Sequence, residues 1–293
     1  MLSLHEHALA DMVSAAWAGP FHHSYEMPAR RGSSARWVEW HSRQKLGASP
    51  EQWRCCSLAD AAEQYAWDEI ILDQQRHDGR RLAWTSDECR DELALSHTDV
   101  DRFYEASLQT LRWGKVGRTR NGKEDSSVVW LKAARDRGSI VDDILEAVSL
   151  LNGDENPEDH FCEAQPMNSA MTKVYAFADA SRRLAIYDGR VGAALALFAM
   201  EYWHARDGEL PLELRFAFFD SQTPGKSGSR NPSIGRHHFP ILGKHNVHAR
   251  WMWSAGRILN EAASRAGCNV LQLERALFMI GYDVRRAKLR YAS

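Results

Sequence analysis

The 293-residue chain has no excess of either charge: 37 Lys and Arg stand against 39 Asp and Glu, with 13 His, for a formal net charge of -2. That balance excludes a histone-like polybasic protein and an acidic solvating tail. Long apolar runs are also lacking. The longest, Val191 to Met200, falls well short of the roughly 18 residues that would span a bilayer. The N-terminus, MLSLHEHALADM, carries acids and histidines where a secretory signal needs a basic start and an apolar run. These absences point to a cytoplasmic protein without membrane contact. The five cysteines (Cys55, Cys56, Cys89, Cys162 and Cys268) form no CxxC pair or regular spacing, which argues against a disulfide framework and a zinc ribbon. GxGxxG, GxxxxGK[ST] and GxSxG motifs are missing too, so no cofactor is expected.

What is present is an ordinary globular composition, 44% hydrophobic and 26% charged, with 11 Trp among the aromatics. Helical periodicity dominates. Val191, Leu195, Phe198 and Tyr202 recur at offsets of four, three and four, and Ile140, Ile144, Ala147, Val148 and Leu151 mark a second apolar stripe. Start and stop signals agree with it. Ser57 precedes LADAAEQYAWDEIIL, Ser96 to Asp99 precede VDRFYEASLQTLRW, and Gly114, Gly138 and Gly153 follow helical segments. Alternation is clear only at Leu212 to Phe216, where a strand and an extended helix are both open. Loops are expected at Gly19 to Ser34, Gly114 to Lys123, Gly153 to Ser169 and Ser221 to Asn246. The reading is all-α, with an N-terminal helical region over 1–137 and a second over 138–293.

Charge is uneven along this neutral chain. Arg112 to Lys123 holds five basic residues, three glycines and no acid, and Lys226 to Asn260 holds six basic residues and four histidines, again without an acid. Gly138 to Thr172 is the reverse, with eight acids and no Lys or Arg. Two acid-free basic stretches suggest a localised face for a polyanion, although a charge run is also what a solvated loop looks like.

The segment that carries chemistry is Met171 to Ala199. An apolar helix begins near Lys173, breaks around Asp179 to Arg183, and a short apolar approach delivers Asp188 to the entrance of a long helix, Gly189 to Tyr202. On spacing alone, Asp188 is an N-cap worth roughly 1 kcal/mol, and Lys173 is a solvated helix residue or a phosphate contact.

Thr172-Lys173-Val174, followed by Ile186-Tyr187-Asp188-Gly189-Arg190-Val191 opening an apolar helix, resembles the hairpin-lysine and catalytic-aspartate segment of helix-hairpin-helix DNA glycosylases of the 8-oxoguanine type. The later R-N-P-S, F-P and H-A-R-W-M-W-S-A-G-R-I-L stretches resemble the C-terminal end of bacterial members, some of which act against phages with modified bases. The likeness covers Ala164 to Leu259, and it departs from the family in two ways. The hairpin, Gln165 to Met171, has a proline but no glycine, which leaves the Asn168 and Ser169 side chains to stand in at the phosphate, and the lysine-to-aspartate interval is a few residues short.

The resemblance implies helix-hairpin-helix-type helical domains flanking a DNA-binding cleft, and a monomer that flips a modified base out of double-stranded DNA and cleaves its N-glycosidic bond, in phage defence or base-excision repair. Asp188 would stabilise positive charge on the sugar, and Lys173 is the candidate Schiff-base amine. Base-pocket candidates are Phe239, His237, His238, His248, Trp251, Trp253 and, in the loop ahead of the hairpin, Phe161. DNA-contact candidates are Lys115, Arg118, Arg120, Lys123, Asn168, Ser169, Arg190, Arg230, Arg236, Lys244 and Arg250. Two rivals stay open. One is a metal-dependent nuclease built from His237, His238, His245, Asn246 and His248, which lacks an HExxH or D-x-D motif. The other is a helical DNA-binding protein without chemistry.

Overall fold

Local signals account for most of the helices. The computed structural model describes residues 1–26, 52–68, 84–119, 121–219 and 230–285. In order, the elements are α1 (Leu4–Ala18), β1 (His23–Glu26), β2 (Gln52–Cys55), α2 (Leu58–Glu63), α3 (Ser86–Leu95), α4 (Val100–Trp113), α5 (Ser126–Asp136), α6 (Ile140–Asn152), α7 (Met171–Ala178), α8 (Gly189–Trp203), α9 (His245–Ala266) and α10 (Val270–Ile280), with 3-10 turns at Glu158–His160 and Leu212–Leu214. The chain is mostly helical, and none of its described helices is long and apolar enough to cross a membrane. Ser3, Thr85 and Asn269 open α1, α3 and α10 through reciprocal capping boxes with Glu6, Glu88 and Gln272. Asp99 caps α4 through the Arg102 amide, and Ser57 caps α2 through the Asp60 amide.

The helix expected over LADAAEQYAWDEIIL after Ser57 ends at Glu63, and two further departures from the sequence reading have simple causes. Residues 23–26, inside a stretch expected to be loop, pair antiparallel with 52–55 in the register His23 to Cys55 and Tyr25 to Trp53. Four residues are too few to show alternation, and the pairing is secured by side chains instead: the Tyr25 and Trp53 rings stack at 4.8 Å. The alternating stretch at 212–216 forms no strand. Pro211 leads into the 3-10 turn, and Phe218, just beyond the stretch, bridges Ile241 in parallel.

The chain divides into two compact units. The first comprises Met1–Ala66, Tyr187–Leu242 and Ser254–Ser293, and the second comprises Trp67–Ile186 and Gly243–Trp253, so residues on both sides of position 137 fall in the second. Within the first unit α10 packs on α2 and α8, and α8 packs on α1. Glycine allows close approaches there: a side-chain carbon at Gly281, for example, would collide with the Arg190 carbonyl. Within the second unit α7 is the core: all eight of its residues are buried, packed by α3, α4 and α6.

Candidate functional site

In the second unit, the loop that follows α4 and the loop that precedes α7 line one pocket of about 310 Å³. Lys115, Gly117 and Arg118 come from the first loop, Asn168 and Ser169 from the second, and Ser127 from the start of α5. Four of the DNA-contact candidates therefore meet in one place. Arg120 lies outside the described residues, and Lys123 is exposed further along the loop.

The geometry of the first loop follows from Lys173. Its side chain is only 7% exposed, its stem lies across Gly114, where a Cβ would collide with Cδ and Cε, and its ammonium donates to the Ser169 carbonyl at 2.6 Å. Gly114 has φ -70 and ψ -3, so its backbone does not call for glycine. The space does. The left-handed residue that commonly ends a helix falls one position later, on Lys115 at φ 53. A non-glycine residue there costs roughly 1 kcal/mol. The Lys115 ammonium sits 5.0 Å from the Trp67 ring centroid, and burial, then Arg118, holds its pKa below the usual lysine value. Gly114 and Trp67 are missed by sequence reasoning because a glycine after a helix already has an explanation as a cap.

The second loop is well fixed without glycines. Trp130 Nε1 donates to the Ala164 carbonyl, Gln165 Nε2 to the Asp143 carbonyl, and Tyr175 hydroxyl to the Pro166 carbonyl. His245 Nδ1 lies 3.1 Å from the Met167 nitrogen and 2.8 Å from its oxygen. Asn168 Oδ1 accepts from the amides of Ala170 and Met171, and its amide nitrogen donates to Ser127 Oγ at 3.1 Å. The donors that open α7 are therefore already bonded inside the protein.

Asp188 belongs to the first unit and caps α8. Its Oδ1 accepts from the Arg190 amide at 2.8 Å and the Val191 amide at 3.1 Å. The strand-like 216–219 segment packs on this helix start: Tyr187 hydroxyl donates to the Ala217 carbonyl at 2.6 Å, and side-chain carbons at Gly189 and Gly192 would meet Phe219 and Ala217. Arg190, a DNA-contact candidate, lays its guanidinium 4.2 Å from the Phe278 centroid and 5.1 Å from that of Tyr282. Arg230 is half-buried, and Arg236 and His238 are exposed. His237 exchanges backbone hydrogen bonds with Ile234. Burial, then Arg236 and Arg215, lowers its pKa. Phe239 is buried, its amide on Ser233 Oγ.

The remaining pocket candidates lie in the second unit. Phe161 packs edge-on to Tyr175, while His248 and Trp251 are buried on α9, and Trp253 donates to the Gly153 carbonyl. Lys244 and His245 share a cavity of about 450 Å³ with Glu158, Asp159 and Glu163. Arg250 lies 3.9 Å from Glu158 and over the Trp251 ring. The acid-free run in the sequence is thus met by acids from the 158–163 loop. His245 and His248 share α9, yet among the described residues no three His, Cys, Asp or Glu side chains form a group able to hold a metal ion.

Comparison with protein-family models, curated proteins and solved structures finds no match.

Proposed function

We propose that the protein is a DNA glycosylase that releases a modified base from double-stranded DNA. What carries the reading is the lysine-to-aspartate segment: a buried lysine whose amine donates to the carbonyl of Ser169, a residue of the basic pocket, followed by an aspartate held by two amides at a helix entrance. As the N-glycosidic bond lengthens, the departing base takes the bonding pair and positive charge grows on the deoxyribose. In this proposal the Asp188 carboxylate stabilises that charge. Water then adds at C1′. In a bifunctional enzyme the neutral Lys173 amine adds there instead, and opening of the sugar ring yields a Schiff base.

Asp188→Asn separates this role from capping, because asparagine caps a helix about as well as aspartate. Stability should stay within a few tenths of a kcal/mol while base release is lost, scored by mass spectrometry of bases freed from genomic DNA carrying different modifications. Full release by the variant would sink the catalytic assignment. Borohydride should trap a covalent complex with substrate or abasic DNA, and Lys173→Ala should abolish it. Without such a complex the enzyme is monofunctional.

The capping bonds of Asp188 also favour a second reading, a helical DNA-binding protein without chemistry. Duplex binding by the native protein with no base released from any modified DNA would select it.

A further inference from the structure

We propose that the pocket between the loops after α4 and before α7 seats a backbone phosphate of a nucleic acid, and that Lys115 and Arg118 hold it in place of the amides at the start of α7. The inference deepens the DNA-binding part of the proposed function and rests on it. Four observations converge on this pocket. It has room for a phosphate with part of its sugar, at about 310 Å³. Its two cations repel one another, and among the described residues neither forms an ion pair. Lys115 is partly desolvated and held in a left-handed backbone conformation, a cost a fold accepts where the side chain must be aimed. The amides at the start of α7, which would otherwise bind an anion, are taken inside the protein: those of Ala170 and Met171 by Asn168 Oδ1, and those of Thr172 and Lys173 by the Asn168 and Ala170 carbonyls.

Asp125 also lines the pocket and starts α5 by accepting from the Ser127 amide, and among the described residues it forms no ion pair with Lys115 or Arg118. A phosphodiester oxygen placed between Lys115 and Arg118 relieves their repulsion, with Ser169 lining the pocket from the second loop.

The test is duplex binding by fluorescence anisotropy across a salt series. Lys115→Asn keeps a residue tolerant of the left-handed region while removing the charge, and Arg118→Gln changes an exposed side chain, so folding is not at stake in both. Each variant should weaken binding and flatten the dependence of log K on log salt, and the double variant should reduce the slope by about 0.9, the equivalent of the one phosphate that the pair neutralises. Unchanged slopes in both variants, or no duplex binding by the native protein, would overturn the proposal. So would calorimetric binding of inorganic phosphate that depends on both cations while DNA binding ignores them, because the pocket would then belong to a free anion. A reduced slope with no base release leaves the phosphate seat standing and removes the glycosylase. Base release with unaltered slopes does the reverse.

Discussion

Single residues in this chain are constrained by space as often as by conformation. Gly114 makes room for a lysine stem, and its neighbour Lys115 takes the left-handed position that a glycine would ordinarily fill. Cys89 is governed by space in another sense. It is fully buried in α3, and burial pushes its thiol from 9.0 up to about 12, against the lowering effect of a Thr110 hydrogen bond. Since an unfolded thiol ionises near 9 and the folded one holds its proton to about 12, the folded chain carries the extra proton between these values. Its contribution to stability is complete below pH 9 and is lost as pH rises through that window. At neutral pH, alkylation followed by peptide mass mapping should label the exposed Cys56 and Cys162 and spare Cys89 until denaturant is added. Labelling of native Cys89 at a comparable rate would contradict its placement.

At the scale of elements, the two buried helices begin by different means, and both starts use a short polar side chain. The Asp188 cap of α8 is legible, because an Asp before an apolar helix reads as an N-cap and the bonds to Arg190 and Val191 are local. The start of α7 is only half legible. The missing glycines at 165–171 point to Asn168, whereas its role, accepting from the Ala170 and Met171 amides and bonding Ser127 from 41 residues away, belongs to the folded chain. Asn168→Ala should therefore cost about 1 kcal/mol or somewhat more in a denaturant titration, since it removes the acceptor of the Ala170 and Met171 amides and leaves a buried serine short of a partner. A cost near zero would mean that water replaces the side chain at little expense. The short β1–β2 pair is illegible for the opposite reason, being too brief to show a period.

Over the whole molecule, the charge arithmetic changes once the chain is folded. Linear counting finds two basic stretches of similar promise. Folding leaves Lys115 and Arg118 in a pocket lined by one carboxylate, Asp125, and sets Lys244, His245 and Arg250 near Glu158, Asp159 and Glu163. Coulombic attraction over a few ångströms outweighs a charge count along the chain, so nearby acids lessen the second stretch's pull on a polyanion. Among the DNA-contact candidates, the salt response is expected to come chiefly from the first loop. The aromatic candidates divide in the same way. Phe161, Phe239 and Trp251, chosen for their ring faces, are buried, as large rings most often are.

The helical class, the helix starts at Ser57 and Asp99 and the place of Asp188 can be read along the linear chain, because periodicity and caps act within four residues. Folding alone brings Lys173 under Gly114, sets Lys115 and Arg118 opposite Asn168 and Ser169, and lays an acidic loop against the second basic run. These are contacts between segments tens of residues apart. Their partners are chosen by packing and hydrogen-bond satisfaction in three dimensions, which leave no period or spacing in the amino-acid order.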